Sequence, residues 1–284
     1  MKILITGATG LLGPRMAEAF RLRGWDIVTH GFSKPADVNF DLCDKNQAIL
    51  NLEKIHPDVI VNLVCLSDVE ACEENVDRAY RRNVRPVEML VTGMKCLGLT
   101  CRLIQISTDQ LYDSPNASRE DAFVFRNNYA FSKYAAELIA MNYKNSLIFR
   151  TNFFGRSKTS NRISFTDWLF NAFENESPII LFEDVMFSPL SMLTLSHYIA
   201  NAITSNKTGV YNLGSRNGMS KKDFALALAK EFGLSTINAK VGTQQDVCFS
   251  ARRPEGMIMD CSRFEQDFCT ILPELHKEIC LAKD

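Results

Sequence analysis

The sequence predicts an α/β protein, a doubly wound parallel sheet carrying a smaller mixed α/β lobe, and three observations predict it. The chain opens on Ile3-Leu4-Ile5, a short apolar run of the kind buried in a parallel sheet, and turns at once through TGATGLLG into Met16, Ala17, Ala19 and Phe20 at helical spacing. Apolar runs then alternate with helical stretches as far as Leu147-Ile148-Phe149, which is the rhythm of repeated βαβ units. After about residue 155 that rhythm changes, and polar stretches such as RSKTSNR and ENES separate shorter apolar runs. We therefore expect a dinucleotide-binding domain with the catalytic residues over 1–155 and a substrate-binding lobe over 156–284, with room for the chain to cross back between them.

Each element has a reason. A strand that turns through closely spaced glycines into a helix aims free N–H groups and the positive end of the helix dipole at an anion. Gly7 permits the tight turn, Gly10 lets a pyrophosphate approach the backbone, and Gly13 lets helix and strand pack closely. Thr9, Leu11 and Leu12 fill the same loop, and Pro14 falls in the first helical turn, where its missing N–H does no harm. The spacing G-x-x-G-x-x-G is weak by itself and gains its weight from standing directly after a strand. Asp26–His30 reads as a second strand, 45–55 as a helix, and Val59-Ile60-Val61 as a third strand. Residues 68–97 read as one long helix bent near Pro86, Leu103–Ile106 as a fourth strand, 129–143 as a helix and Leu147–Phe149 as a fifth strand. In the second half a helix over 220–232 opens on Ser220 as N-cap and puts Phe224, Leu228 and Phe232 on one face.

Ligands of such sheets bind beyond the carboxyl ends of the strands. Those ends are Thr6–Gly13, His30–Lys34, Leu63–Ser67, Ser107–Tyr112 and Thr151–Gly155, each polar or glycine-rich. Composition narrows the partners. With 32 Lys plus Arg against 33 Asp plus Glu there is no bulk field to attract nucleic acid or an anionic membrane. The absence of a long apolar run and of a signal-peptide pattern sets the expectation of a cytoplasmic protein. Nine cysteines without C-x-x-C and four scattered histidines give no close ligand pair, so no metal site is expected. An acidic residue at the end of the second strand normally accepts the adenine ribose hydroxyls. Here the run is THGFSKP, and Ser33 and Lys34 suit a 2′-phosphate, which favours NADPH over NADH; Lys34 as a solvated loop lysine is the bland alternative.

The chemistry rests on two segments. Tyr129 and Lys133 in NNYAFSKYAAEL stand four residues apart, on one helix face. An ammonium near a phenol stabilises the phenolate, so such a tyrosine can protonate a carbonyl oxygen that receives hydride. Lys133 can also hydrogen-bond the nicotinamide ribose. A bare Y-x-x-x-K is usually an ordinary helix pair, and it is the glycine loop and the alternating strands that give it meaning. Thr108, in ISTDQLY at the end of the fourth strand, faces the same crevice and can orient the carbonyl; its plain alternative is a capping threonine.

TGATGLLG, ISTDQLY and YAFSK, in this order and at these intervals, resemble the extended short-chain dehydrogenase/reductases, with their Rossmann-like fold, and within them the dTDP-4-dehydrorhamnose reductase family. The similarity runs nearly end to end. DVIVNLVCLSDVEACEENVDRAYRRNV, IFRTNFFG and SARRPEGMIMDCSRF look like that family's third strand and helix, fifth strand and substrate-lobe signature. The resemblance implies an NAD(P)H-dependent oxidoreductase of polysaccharide biosynthesis, with NADPH favoured and NADH possible, that passes hydride to the C4 carbonyl of a 4-keto-6-deoxy nucleotide sugar. It maps a catalytic set onto Thr108, Tyr129 and Lys133. It implies cofactor contacts at the glycine loop, the loop after strand two, Asp41, Leu42, Leu63, Val64, Cys65 and Asn83, and substrate contacts at Ser67, Val69, Gln110, Phe153 and Arg253. As partners we expect the nucleotide sugar and at most a second copy of the chain, a homodimer.

Some residues depart from the family pattern. The loop after the third strand is usually alanine-rich and here is Leu63-Val64-Cys65, while Gly256 and Met257 replace small polar residues after Arg253-Pro254. Related 4,6-dehydratases carry Thr-Asp-Glu where this chain has Thr108-Asp109-Gln110, and a glutamine neither takes nor gives a proton at neutral pH, so elimination of water is disfavoured. Two alternatives stay open. One is an NAD-dependent nucleotide-sugar 4-epimerase, which needs only the Thr–Tyr–Lys set; the other is a non-catalytic nucleotide-binding subunit of the methionine adenosyltransferase β type.

Overall fold

In the computed structural model, which describes residues 1–159 and 162–283, the first half of the chain is a layered sheet. Strands β1 (Lys2–Thr6), β2 (Asp26–Gly31), β3 (Val38–Asn39), β4 (Val59–Asn62), β5 (Arg102–Ile106) and β6 (Ser146–Thr151) alternate with α1 (Gly13–Arg21), α2 (Lys45–Ile55) and later helices. All the strand pairs from β6 through β5, β4 and β1 to β2 and β3 are parallel. β1, β4, β5 and β6 are almost wholly buried, as near-continuous apolar runs covered on both faces must be. Leu4, Ile60, Leu103 and Ile148 pack there against Leu52, Leu90 and Ala136 of the helices. The doubly wound parallel sheet expected from the sequence is present.

Two boundaries differ from expectation. The short β3 was not foreseen, since two residues carry no periodicity. The stretch read as one helix over 68–97 is four pieces: α3 (Val69–Glu74), α4 (Val76–Ala79), a π-helical turn over Tyr80–Val84, and α5 (Arg85–Cys96). Asn75 breaks it, with an extended backbone and a side chain that accepts from the Arg78 N–H (2.8 Å). The π turn then precedes Pro86, which sits in the first turn of α5 where no N–H is missed. α6 (Asn128–Met141) follows as expected, capped by Asn127.

The second half supplies β7 (Phe153–Phe154), α7 (Phe165–Glu174), β8 (Ile179–Phe182), β9 (Met186–Phe187), β10 (Leu190–Ser191), α8 (Met192–Ile203), β11 (Gly209–Leu213), β12 (Met219–Ser220), α9 (Lys221–Phe232), β13 (Ala239–Gly242) and β14 (Gly256–Met257). β11 returns to the large sheet beside β6, making seven strands in the order β11-β6-β5-β4-β1-β2-β3. The remaining strands form small mixed sheets: β10 with β7, β13 with β8, and β9 between β12 and β14. By proximity the chain divides into two compact units, 1–108 with 127–150 and 196–211, and 109–126 with 151–195 and 212–284. The second has its own core of Phe154, Phe170, Phe173, Phe187 and Phe224, with ring centroids 5.0 Å apart for Phe154 and Phe224. Ser220 caps α9 through the Asp223 N–H (2.9 Å), and Phe224 and Leu228 are buried as its periodicity predicts. Among the described residues no helix is long and apolar enough to cross a membrane.

Candidate active site

The glycine loop follows β1 directly. Gly7 has φ +70°, and a Cβ there would stand 2.9 Å from the Val64 nitrogen, so only glycine lets the turn pass the exit of β4. Gly13 is tighter still, its Cβ position lying 2.1 Å from the Ala8 oxygen. Leu12 enters α1 with no side-chain cap, so the first N–H groups of that helix are not taken by a capping residue. Thr9, Gly10 and Leu11 lie between these points, and Gly10 donates its N–H to the Gly7 carbonyl (3.0 Å).

His30, at the end of β2, supports this turn from below. Its Nε2 lies 3.0 Å from the Phe40 carbonyl, which can only accept, so the proton sits there and Nδ1 accepts from the Gly7 N–H at 3.4 Å. Burial holds this imidazole below its ordinary value. Such a group binds fewer protons folded than unfolded, so its contribution is full above about pH 6.5 and is lost as pH falls through the depressed folded value. We expect melting temperature to fall between about pH 7.5 and 5.5, and to fall less in His30→Gln. Parallel profiles for the two proteins would show that this histidine is not linked to folding.

Across the neighbouring strand ends runs a buried polar chain. The Thr6 hydroxyl donates to Asn62 Oδ1 (2.6 Å), and Asn62 Nδ2 donates to Gln105 Oε1 (2.7 Å). The loop beyond β4 holds Leu63, Val64 and Cys65, and Asn83 fastens it: Asn83 Oδ1 accepts from the Leu66 N–H (2.7 Å) while Nδ2 donates to Ser132 on α6 (2.8 Å). Both ends of the Asn83 amide are thus engaged within the protein, which fixes the β4 loop to the tyrosine helix. Tyr129 and Lys133 lie on the face of α6 turned to these ends. The Tyr129 hydroxyl is 4.0 Å from Cys65 Sγ, and Lys133 Nζ donates to the Ile106 carbonyl (2.7 Å), leaving two further N–H donors. Thr108, 5% exposed, follows β5 two residues beyond that carbonyl. One turn on from Lys133, Glu137 forms a fully buried pair with Arg150 of β6 (2.7 Å) and accepts from the Ser107 hydroxyl. This pair ties α6 to the ends of β5 and β6.

At the end of β2, Ser33 is exposed and Lys34 half-buried, its carbonyl accepting from Asn39 Nδ2 (2.7 Å). Beside them a cavity of about 540 Å³ is lined by Phe32, Asp41 and Arg82 among others. Arg81 is paired with Asp77 (2.8 Å) and Arg85 reaches the Cys43 carbonyl (3.3 Å) and Glu88 (3.4 Å). The Arg82 guanidinium lies 5.1 Å over the Phe32 ring and makes no ion pair or hydrogen bond among the described residues. The sequence reading missed Arg82, because only the π turn brings it to the strand end. Leu42 is a core residue, Val69 is buried at the start of α3, and Ser67 is exposed before it.

The second unit holds Gln110, Phe153 and Arg253. Gln110 sits in a 3₁₀ turn whose Asp109 carboxylate accepts from Asn152 Nδ2 (2.7 Å), next to Phe153. Asp113 of the same segment accepts from the Glu255 and Gly256 N–H groups (2.9 and 3.2 Å), just beyond Arg253. The Arg253 guanidinium lies 4.2 Å over the Phe249 ring. Among the described residues no cluster of His, Cys, Asp and Glu is arranged to hold a metal ion.

A glycine turn after the first strand of a parallel sheet, with a Tyr-x-x-x-Lys helix over the adjacent strand ends, defines the class of Rossmann-like dinucleotide-dependent oxidoreductases. Residues 1–282 match the family described as RmlD substrate binding domain, and the chain belongs to that family. It is similar to the dTDP-4-dehydrorhamnose reductase of Escherichia coli, 25% identical over 96% of this chain and 94% of that protein. It is also similar to methionine adenosyltransferase 2 subunit beta of Bos taurus, 26% identical over 93% of this chain and 81% of that one. Among solved structures, the dTDP-4-dehydrorhamnose reductase of Bacillus anthracis in complex with NADP superposes with a TM-score of 0.87 at 21% identity, covering 98% of this chain and 96% of that one.

Proposed function

We propose that this chain reduces the C4 carbonyl of a 4-keto-6-deoxy nucleotide sugar with NADPH. The observation that carries this reading is one of convergence. Gly7 abuts Val64, the Tyr129 hydroxyl lies at Cys65, and Lys133 is anchored at Ile106, so the pyrophosphate turn and the tyrosine–lysine pair share the carboxyl ends of three adjacent strands. The residues fit a dinucleotide: the loop is shaped by glycine at its turn, Lys133 keeps donors for a ribose, and the cavity at the end of β2 carries an uncommitted guanidinium.

When bound, the reduced nicotinamide supplies hydride. Tyr129 gives its hydroxyl proton to the carbonyl oxygen as charge develops there. Lys133, a buried ammonium pinned by the Ile106 carbonyl, stabilises the phenolate that results. Thr108 donates to the same carbonyl oxygen and orients it. Gln110, Phe153 and Arg253 serve the sugar and its diphosphate, a guanidinium being suited to bidentate contact with phosphate oxygens. Gln110 has no proton to exchange, which favours reduction over elimination. The relation to methionine adenosyltransferase 2 subunit beta supports a second reading, nucleotide binding without turnover. Oxidation of NADPH in the presence of a dTDP-4-keto-6-deoxy sugar separates the two.

NADPH preference is assigned to Arg82 together with Lys34. A charge-assisted contact with the 2′-phosphate is worth about 1.5–3 kcal/mol, so Arg82→Met should weaken NADPH about tenfold or more and leave NADH unchanged. Calorimetric titration with each cofactor measures this. Equal weakening of both cofactors would remove Arg82 from the phosphate, and the same comparison on Lys34→Ala apportions the remainder.

A further inference from the structure

The segment that carries Gln110 runs on through Tyr112, Asp113 and Ser114 to Ser118, and its backbone is bonded to residues 256–260. The Ser114 N–H donates to the Gly256 carbonyl (3.0 Å), the Ser118 N–H to the Ile258 carbonyl (2.9 Å), and the Asp260 N–H returns to the Ser118 carbonyl (2.9 Å). Asp113 is the side chain that closes this seam. Its Oδ1 accepts from both the Glu255 and the Gly256 N–H groups (2.9 and 3.2 Å), and its Oδ2 pairs with Arg126. Burial works against its ionisation, yet those two N–H groups and the guanidinium hold the carboxyl below its ordinary value, so it is a carboxylate at neutral pH.

Arg253 stands at the head of the clamped stretch, and the backbone from it to Gly256 has little freedom left. Pro254 fixes its own φ and turns Arg253 away from the helical region. The Pro254 carbonyl accepts from Gln244 Nε2 (3.4 Å), and the Glu255 carbonyl from the Met186 N–H of β9 (2.7 Å). Gly256 is required by the same closeness. A Cβ there would stand 1.8 Å from the Ser114 oxygen, so any side chain would push the two segments apart. That accounts for one departure after Arg253-Pro254, since a small polar residue could not approach Ser114 in this way. A guanidinium that must meet two phosphate oxygens at once depends on where its backbone stands, and a site held ready beforehand loses less on binding. Asp113 takes two successive N–H groups of this loop with one oxygen, so removing it releases both.

We propose that Asp113 is a positioning residue for the substrate: its carboxylate fixes the Arg253 loop against the Gln110 segment and so sets the guanidinium where it meets the diphosphate of the nucleotide sugar. This rests on the nucleotide-sugar reading, in which Arg253 takes that diphosphate, and adds a residue that acts through Arg253 and not on the ligand. Asp113→Ala removes the acceptor of both N–H groups. Asp113→Asn keeps an oxygen for them and gives up the ion pair with Arg126.

A double-mutant cycle, read by calorimetric titration of the intact protein with dTDP and with NADPH, tests the proposal. Arg253→Met should weaken dTDP about tenfold or more and Asp113→Ala about fivefold, while NADPH affinity holds in both. The double variant should bind dTDP no more weakly than Arg253→Met alone, because the clamp then has nothing left to position. Asp113→Asn should regain most of the dTDP affinity. If Asp113→Ala does not fold, Asp113→Ser, which leaves room for water at the two N–H groups, takes its place in the cycle. Unaltered dTDP binding by the Asp113 variant overturns the proposal. So do losses that simply add in the double variant, and so does an equal fall in dTDP and NADPH affinity, which marks a general packing role. An Arg253→Met protein that binds dTDP as the wild type does would also overturn it, and would place the fault in the substrate reading by removing Arg253 from the diphosphate. Binding is read without turnover, so a protein that shows the expected cycle yet reduces no sugar would sink the hydride mechanism and leave Asp113 in place.

Discussion

Tyr129→Phe should lower turnover of a 4-keto nucleotide sugar by about a hundredfold or more, the scale of a lost general acid, while NADPH binding hardly changes. The ring is 7% exposed and belongs to the face of α6 that packs over the strand ends, so phenylalanine keeps its packing and removes only the proton. The hydroxyl's near neighbour is Cys65 Sγ at 4.0 Å, a weak hydrogen-bond donor. Single-turnover rates with saturating cofactor measure the effect without interference from product release. A variant that turns over at the wild-type rate would place the proton donor elsewhere.

The largest effect on stability is expected at Arg150. Its guanidinium, 2% exposed, is held by both carboxylate oxygens of Glu137, which has no exposure at all. Replacing one partner leaves the other charge buried, so Arg150→Met should cost about 3–5 kcal/mol, a drop in melting temperature on the order of 10 °C. The double variant Arg150→Met with Glu137→Leu should recover much of that loss, because the cost lies in the stranded carboxylate more than in the missing attraction. Thermal melting of the three proteins decides it; a single variant as stable as wild type would mean that water or a neighbour relieves Glu137. The pair sits one turn from Lys133 and joins α6 to β6, so the same change should also loosen the tyrosine–lysine geometry.

The parts of this fold that repeat were legible in the sequence. β1, β4, β5 and β6 are built on short apolar runs, and α2, α6 and α9 open on Asp44, Asn127 and Ser220, whose side chains cap them. The glycine turn and the tyrosine–lysine pair were legible because their chemistry demands fixed local spacing. What escaped depends on pairings remote in sequence. β11 reaches the large sheet from beyond residue 208, and the helix expected over 68–97 yields to Asn75 and to a π turn held by Asn83. Arg82 and Asp113 gain their meaning from what they face: one lies over Phe32 and the other holds the Glu255 and Gly256 N–H groups, and neither fact has a signature in the run of residues around it.

Reduction itself is tested most directly by isotope. The protein is incubated with a dTDP-4-keto-6-deoxy sugar and NADPH deuterated at nicotinamide C4 on the transferred face, and the product is read by mass spectrometry and proton NMR. Stoichiometric oxidation of the cofactor, with one deuterium at sugar C4 and none elsewhere, is the result expected of a reductase. Sugar returned unlabelled, with the cofactor still reduced although calorimetry shows both bound, would contradict it and make the chain a nucleotide-binding protein without this chemistry.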